Sequence, residues 1–291
     1  MCYGGSPLKR IAVLRGSGST AIVVVAAAAL LLLFTGNPVC AQESSNDPPR
    51  SDFALPIEID FDHGAQNGDA IISRYIPLLS FPLGTDWQLI NLTLVVVADA
   101  PGGVPGRPGN PEPVPGGNVF GLGDLTHAVF FTPPSGSRRL VWGFGPVFGF
   151  PTATDERLGS GKWSMGPAVR FAYRPANWNL GVVVVNLSSY AGDSTRGDVN
   201  QLLVRGLIRR DLGAGWYFTY GPIITANWNQ SSGQRWLIPV GGGIGKSFQI
   251  GSRQFTVAVH GYYNAVKPEA APHSVLRVSL VMPVPLRLQR D

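Results

Sequence analysis

The chain has 291 residues, of which 44% are hydrophobic and only 14% are charged, whereas about 25% of the residues of an average soluble domain are charged. Its 37 glycines and 25 prolines are too many for a bundle of long helices, because both residue types interrupt helices. A disordered chain would carry more charge and less apolar surface. The composition therefore excludes a disordered protein and a helical bundle.

The first segment has the three-part layout of a secretory signal peptide. Three basic residues at positions 9–15 precede an unbroken run of 14 apolar residues at 21–34, and Val39-Cys40-Ala41 then offers small residues at the usual cleavage spacing. We predict that residues 1–41 are a signal peptide. An uncleaved anchor is the alternative, but a membrane-spanning helix needs about 20 apolar residues.

Removal of residues 1–41 changes the charge of the chain and its chemistry. The leader contains three basic residues and no acidic one, so 20 basic and 18 acidic residues remain and the support for a nucleic-acid partner disappears. Both cysteines, Cys2 and Cys40, lie in the leader, which leaves no thiol for disulfides, zinc sites or catalysis. Residues 42–51 are polar and contain two prolines, which predicts a disordered periplasmic lead-in.

The rest of the chain repeats one pattern without a domain boundary. Segments of about 10 to 14 residues rich in Val, Ile, Phe, Tyr and Trp alternate with clusters of Gly, Pro, Asn, Asp and Ser, which is typical of strands and turns. The twelve predicted strands lie at about residues 52–62, 71–83, 87–98, 119–132, 139–151, 162–174, 178–191, 198–210, 215–229, 235–248, 253–266 and 274–284.

The connections between these segments alternate in length. After every second segment the connection is short, as at residues 84–86, and the others are mostly longer, as at residues 99–118. Short turns at one end and long loops at the other are characteristic of bacterial outer-membrane barrels. We therefore predict an all-β fold, a single transmembrane antiparallel barrel of about 12 strands over residues 52–285, with both ends periplasmic and residues 286–291 as a C-terminal tail.

Alternation within the segments distinguishes a membrane barrel from a soluble β-sandwich. In the ninth segment, Trp216 and Phe218 fall on one face and Tyr217 and Thr219 on the other. Strands of about 13 residues can cross a bilayer obliquely, whereas soluble strands are usually about 5–6 residues long. The run at residues 181–185 shows no alternation, so its register is not predicted.

The seven tryptophans give independent support, because all of them fall within four residues of a predicted strand end. Amphipathic rings are enriched at the two membrane interfaces, where strand ends lie. Trp87 falls on the inward parity of its segment. The residues predicted to form an outward aromatic girdle are Trp142, Trp163, Trp216, Trp228 and Trp236.

Motifs for catalysis and cofactor binding are incomplete. The glycine-rich run at residues 241–247 resembles a phosphate loop, but Val240 stands where the first glycine is required. No two histidines have the spacing of metal ligands, and His127 and His260, the candidates for an acyl hydrolase, have no nucleophile motif beside them. We therefore expect no catalytic residue, no cofactor and no metal.

Charged residues predict a narrow lumen and a structured external loop. The segment between Pro151 and Pro167 carries opposite charges that would pair and fold the loop inward, against the alternative of a solvated connector. The residues of this predicted constriction are Asp155, Glu156, Arg157 and Lys162. The residues predicted to face the lumen are Arg170, Arg174, Arg205, Asn227, His260 and Arg277. Inward arginines would favour anions, and basic residues at the external end would contact lipopolysaccharide phosphates; the alternative is that these charges simply flank the membrane.

Several blocks of the sequence resemble the family of outer-membrane transporters named for the MetA pathway of phenol degradation, whose bacterial members are often mislabelled neuromedin U. The resemblance extends over about residues 52–285. The blocks that carry it include residues 120–124 (FGLGD), 142–146 (WGFGP), 150–155 (FPTATD), 158–167 (LGSGKWSMGP) and 222–228 (PIITANW). It implies an outer-membrane barrel that takes up hydrophobic or aromatic compounds, and it supplies no catalytic residues.

The function that these patterns favour is passive uptake of small compounds through a channel or porter. The family resemblance implies that these compounds are hydrophobic or aromatic. Twelve strands lie between the packed interior of eight-stranded barrels and the open channel of 16-stranded porins, so a narrow or plugged lumen is expected. The expected partners are outer-membrane lipid, lipopolysaccharide and a small solute. The alternatives are a structural or lipid-modifying barrel without transport and a soluble exported β-domain that binds a ligand.

Overall fold

The computed structural model describes residues 52–101, 117–133, 139–251 and 253–285. The predicted signal peptide, lead-in and C-terminal tail lie outside these residues, as do residues 102–116 of the second long loop. The strands β1–β8 are Asp52–His63, Ala70–Tyr75, Leu78–Leu83, Trp87–Pro101, Asn118–Leu122, Leu125–Thr132, Leu140–Phe150 and Lys162–Tyr173. The strands β9–β15 are Trp178–Gly192, Asn200–Gly213, Trp216–Tyr220, Ile223–Asn227, Trp236–Ile250, Arg253–Val266 and Ser274–Pro285.

These strands form one closed antiparallel barrel. The sheet closes because β1 pairs with β15 along its whole length, from Asp52 opposite Pro285 to His63 opposite Ser274. Three pairs of consecutive strands (β2 with β3, β5 with β6, and β11 with β12) each occupy one position in the wall, so the fifteen described strands make a barrel of twelve wall strands. The predicted fold class is confirmed, and each predicted segment matches a wall strand to within three residues at either end.

Proline accounts for two of the three interruptions. Pro77 separates β2 from β3, and Pro222 separates β11 from β12. Proline has no backbone N–H, so it cannot donate to the ladder of a central strand. The third interruption, between β5 and β6, lies at Gly123 and Asp124.

The two ends of the barrel differ in their connections. Short turns join β3 to β4, β6 to β7, β8 to β9, β10 to β11 and β13 to β14, and we call this end the periplasmic end. The longer loops lie at the external end and contain a 3₁₀ turn at Glu156–Leu158 and a one-turn α-helix at Ser232–Arg235. In the described residues, neither of these is long and apolar enough to cross a bilayer.

Side chains alternate between an apolar outer face and the lumen. On β11, Phe218 is 42% exposed, whereas Tyr217 and Thr219 on either side of it are 4% and 3% exposed. Tyr217 has room in the lumen because Gly245 lies opposite it, and a Cβ at Gly245 would come within 2.2 Å of the tyrosine ring. Other exposed apolar side chains of the outer face are Phe144, Phe171, Ile244 and Leu276.

This wall has the properties that lipid requires. The ladder of a closed sheet pairs the backbone N–H and C=O groups, and no sheet edge remains between β1 and β15. The outer face presents large apolar side chains. The chain is therefore a bacterial outer-membrane barrel, as predicted.

The lumen is filled in its periplasmic half. Inward side chains of several strands there are buried, so they leave little space for water. They include Gln88, Thr132, Val141, Ser247 and His260. An apolar cluster between β4 and β9 lies above them and consists of Ile90, Ala128, Phe130, Val147, Ala168 and Val185. The space for a ligand is therefore in the external half.

Candidate functional site

A cavity of about 560 Å³ occupies the external half of the lumen. The side formed by β4 to β10 is mainly apolar, and its lining residues include Leu92, Phe130, Val147, Val185 and Leu203. The side formed by β14, β15, β1 and β2 is polar, and its lining residues include Asp60, Arg74, Tyr262, Asn264 and Arg277. A ligand in this cavity would contact an apolar surface and ionised groups at the same time.

The roof of the cavity is the loop between β7 and β8, and the carboxylate of Asp124 accepts several of the hydrogen bonds that hold it. Asp124, at the break between β5 and β6, accepts hydrogen bonds from the backbone N–H of Ala153 (3.2 Å) and of Ser160 (2.6 Å), and from the Ser160 hydroxyl (2.7 Å). Arg196 donates a hydrogen bond to the Gly159 carbonyl from the neighbouring loop. Leu158, Gly159 and Ser160 consequently line the cavity.

Leu158 anchors this loop by burial. Its side chain is fully buried in a cluster with Ile72, Val96, Ala98 and Val119, which belong to β2, β4 and β5. Burial of a leucine contributes about 1.5–3 kcal/mol. The loop therefore folds into the barrel mouth, and an apolar side chain holds it there.

The charged residues predicted to constrict the lumen are divided between two places. Asp155, Glu156 and Arg157 are not part of the cavity lining, whereas Lys162 is. The Asp155 carboxylate accepts hydrogen bonds from the backbone N–H of Arg157 (3.0 Å) and from its Nε and Nη2 atoms (both 2.9 Å). These bonds lower the pKa of Asp155 to about 2. The pair stabilises the 3₁₀ turn on the outside of the roof.

Lys162 links the roof to the next loop. Its Nζ atom lies 3.2 Å from an Asp198 carboxylate oxygen, and the lysine side chain is buried whereas the aspartate is exposed. The hydrogen bond from Lys162 lowers the pKa of Asp198. The two loops at this side of the mouth are thus held together by an ion pair.

The floor of the cavity is a network of ionised groups. Asp60 on β1 accepts hydrogen bonds from Arg277 on β15 (2.6 Å from Nε and 2.9 Å from Nη2) and from Arg74 on β2 (2.5 Å from Nη1). Glu58, two residues along β1, accepts a hydrogen bond from Arg205 on β10. Glu58 is also 3.9 Å from Arg277. Asp60, Glu58 and Arg277 are all buried.

The bond between Arg205 and Glu58 crosses the lumen. Along the shorter way round the barrel, β12, β13, β14 and β15 separate β10 from β1. The two side chains therefore reach each other through the interior and not along the wall. This ion pair therefore lies across the route from the cavity to the filled periplasmic half.

A second polar group on the floor forms around the break between β11 and β12. Arg277 donates a hydrogen bond to the Gly221 carbonyl (3.0 Å), and the Gly221 N–H donates to the Tyr262 hydroxyl (3.1 Å). Tyr262 in turn contacts Nδ1 of His260 (3.0 Å), whose Nε2 is 3.3 Å from the Ser279 hydroxyl. The interruption thus brings a backbone carbonyl and a backbone N–H to the floor.

The two histidines considered for an acyl hydrolase lie apart. His260 is buried inside the barrel below the cavity, where its contact with Ser279 is out of reach of membrane lipid. His127 lies on the outward parity of β6 and contacts the Thr93 hydroxyl (2.9 Å). The described residues contain no group of three or more His, Cys, Asp or Glu side chains that could hold a metal ion.

The other predicted residues occupy defined positions. Arg205, Arg277 and Asn227 line the cavity. Arg170 and Arg174 have the same inward parity as Lys162 and Ser164, but they lie nearer the periplasmic end and do not line the cavity.

The tryptophans predicted for the girdle lie near strand ends. Trp142, Trp163 and Trp228 are exposed, and Trp216 and Trp236 are half-buried. Trp87, predicted to point inward, is exposed and packs edge-to-face on Trp142 with ring centroids 6.1 Å apart. The prediction for Trp87 was wrong because Gln88 takes the inward position at the start of β4.

Sequence reasoning missed Asp124, Leu158 and the carboxylates of the floor. For the floor there was a signal, since Glu58, Asp60 and Asp62 alternate along β1 and must share one face. Carboxylates on the lipid face would be costly, so this pattern places them in the lumen. For Leu158 no local signal exists, because an isolated leucine in a polar loop does not indicate burial.

Comparisons with known proteins agree with the fold. An outer membrane channel from Pseudomonas putida F1 superposes with a TM-score of 0.59 at 12% sequence identity, over 84% of this chain and 100% of that one. The NanC porin has a TM-score of 0.48 at 11% identity, over 80% of this chain and 100% of that one. No protein-family model and no curated protein sequence matches the chain. The superposition with a TM-score of 0.59 supports the fold of an outer-membrane β-barrel.

Proposed function

We propose that this protein is an outer-membrane channel or porter that admits small, partly hydrophobic compounds by passive diffusion, without catalysing a reaction. The observation that supports it best is the cavity of about 560 Å³ with one apolar side, which lies in the external half of the lumen. Ligand sites typically have volumes of about 300–1,000 Å³ and combine apolar walls with a few polar groups. A purely structural barrel has no need of such a space.

Passage through the barrel requires the floor to open, and the floor is made of side chains. Arg205 and Glu58 meet across the lumen from separate wall strands. Rotation of these two side chains would separate them without breaking the ladder of the wall. We infer that solute transfer proceeds through such rearrangements, which makes the closed floor compatible with transport.

We also propose roles for the mouth and the outer surface. The roof loop would limit the size of the solutes that enter, the tryptophans at the strand ends would form the interfacial girdles, and the basic residues of the external loops would contact lipopolysaccharide phosphates. The sequence blocks at residues 142–146 and 158–167 support membership of the transporter family named for the MetA pathway of phenol degradation.

Electrical recording in planar bilayers tests this proposal. Refolded protein comprising residues 42–291 should produce discrete channel openings, and deletion of residues 155–160 should raise their conductance, because Leu158, Gly159 and Ser160 line the cavity. A matched deletion within the loop at residues 193–198 should have a smaller effect, since none of these residues lines the cavity. Absence of openings from a correctly assembled barrel would contradict the proposal.

A further inference from the structure

Arg205 is the floor arginine that is most open to the cavity. Its side chain is 31% exposed, whereas those of Arg74 and Arg277 are 17% and 6% exposed. A guanidinium has five N–H donors. Among the described residues, the only hydrogen bond from the Arg205 guanidinium goes from Nη2 to Glu58. The remaining donors of Arg205 are available to a ligand in the cavity.

The carboxylates around Arg205 are already engaged. Asp60 accepts hydrogen bonds from two arginines, Arg74 and Arg277, and Glu58 contacts Arg277 as well as Arg205. Asp62 also lines the cavity, so the three arginines of the floor lie among three carboxylates. The N–H groups of Arg205 that Glu58 does not use lie in a partly enclosed space, where electrostatic attraction is stronger than in bulk water.

The surface next to Arg205 is apolar. Leu203, two residues away on the same face of β10, lines the cavity, and Val183 and Val185 on β9 stand opposite Arg205 and Leu203 in the sheet register. Val185 belongs to the apolar cluster that includes Phe130, and Leu203 packs against this cluster. One cationic group therefore lies at the end of an apolar wall.

We propose that the cavity binds small carboxylates that carry an apolar body. The carboxylate accepts hydrogen bonds from guanidinium N–H groups of Arg205 that Glu58 does not use, and the body lies against Leu203, Val185 and Phe130. Glu58 holds the guanidinium in position from below and competes weakly with the ligand for it. This inference rests on the proposed function, because it names the class of solute that the channel admits.

A neutral analogue of the same shape separates the charge from the apolar contact. Benzoate and benzamide have nearly equal size, but only benzoate carries the charge that Arg205 would recognise. Calorimetric titration of the refolded protein at pH 7 should give at least about tenfold tighter binding of benzoate, which is the effect of one hydrogen-bonded ion pair. Equal affinity for the two compounds would overturn the inference.

Two variants locate the site. Arg205→Gln should weaken benzoate binding by about tenfold and leave benzamide binding unchanged. Arg170→Gln is the matched control, because Arg170 is an inward arginine outside the cavity lining, and it should bind both compounds like the wild type. An Arg205→Gln protein that still prefers benzoate would refute the assignment.

Glu58→Gln provides a test that does not remove the arginine. The neutral side chain releases Arg205 from its counter-ion, so benzoate affinity should rise several-fold while benzamide affinity stays constant. A fall in benzoate affinity would contradict the role given to Glu58. This variant and the wild-type comparison decide the question even where Arg205→Gln fails to assemble.

Liposome swelling with arabinose, a small uncharged sugar, separates the two proposals. Entry of arabinose without a preference for benzoate would refute the carboxylate site and leave the channel function intact. Failure of both arabinose and benzoate to enter would refute the channel function itself, whatever the calorimetric result.

Discussion

Asp124→Ala removes the carboxylate that accepts hydrogen bonds from the roof loop and leaves its other anchor, the buried Leu158, in place. The carboxylate accepts three hydrogen bonds from Ala153 and Ser160, at 3.2, 2.6 and 2.7 Å. At a partly buried site, where water replaces part of the lost interaction, each bond contributes about 1 kcal/mol. The free energy of loop opening should therefore fall by about 3 kcal/mol, which raises the population of the open loop by roughly 100-fold.

Native-state proteolysis measures this population. Trypsin cleaves after Arg157, which lies in the 3₁₀ turn of the loop, and the cleavage rate follows the fraction of open loop when opening and closing are fast. The Asp124→Ala protein should be cut at this position roughly 100 times faster than the wild type. The barrel should keep its shift on unboiled gels, because the wall ladder is unchanged.

Two controls define the interpretation. Ser160→Ala removes the hydroxyl, which donates to Asp124 (2.7 Å) and accepts from the Lys162 N–H (3.2 Å), but it keeps the two backbone bonds to Asp124, so cleavage should accelerate less than in Asp124→Ala. Asp69→Ala removes a carboxylate that bonds to His63 and Gly64 in a different loop, and it should leave cleavage after Arg157 unchanged. If the Asp124→Ala protein is cleaved after Arg157 at the rate of the wild type, this carboxylate does not hold the roof.

Three further predictions concern the wall, the floor and the loop. Val95→Arg places a charge on the lipid face of β4 and should lower the free energy of unfolding by about 2–4 kcal/mol in a urea titration. Leu94→Arg, whose side chain points into the cavity, should lower it by less. Equal losses would contradict the assignment of Val95 to the lipid face. Asp60→Asn leaves two arginines without their shared counter-ion and should cost about 3–5 kcal/mol; a loss below about 1 kcal/mol would show that the network does not stabilise the fold. The Asp155 carboxyl should titrate near pH 2 by NMR, so its contribution to loop stability is complete above its ordinary pKa and is lost as the pH falls through about 2. Arg157→Gln should raise the pKa of Asp155 towards its ordinary value, and an unchanged titration midpoint in this variant would exclude the pairing.

The wall of the barrel was predictable because its physical constraints are local. Each strand must alternate between lipid and lumen, and each turn must contain residues that reverse the chain, so both leave a pattern in the sequence. The interruptions at Pro77 and Pro222 were also encoded, since each proline removes a ladder donor, but the strands predicted there were continuous. The register at residues 181–185 was not encoded, because consecutive valines suit lipid and the apolar side of the cavity equally.

The site was less predictable because its contacts join distant strands. Parity places Arg205 and Arg277 in the lumen, but it does not identify Glu58, which meets Arg205 from across the barrel. The roof depends on Asp124 and Leu158, whose partners belong to three different strands and a loop. Such pairings follow from the closure and stagger of the barrel, which a single sequence does not reveal.

Flux through a labelled lumen tests the central claim most directly. Residues 42–291 contain no cysteine, so single cysteines can be placed at Gln201, which lines the cavity, and at Leu202, which has the opposite parity. The protein should accelerate solute entry into liposomes, and a bulky maleimide should abolish this acceleration in Gln201→Cys but leave it intact in Leu202→Cys. Solute entry that is unaffected by a completely labelled Gln201→Cys protein, or no faster than in protein-free liposomes, would contradict transport through this cavity.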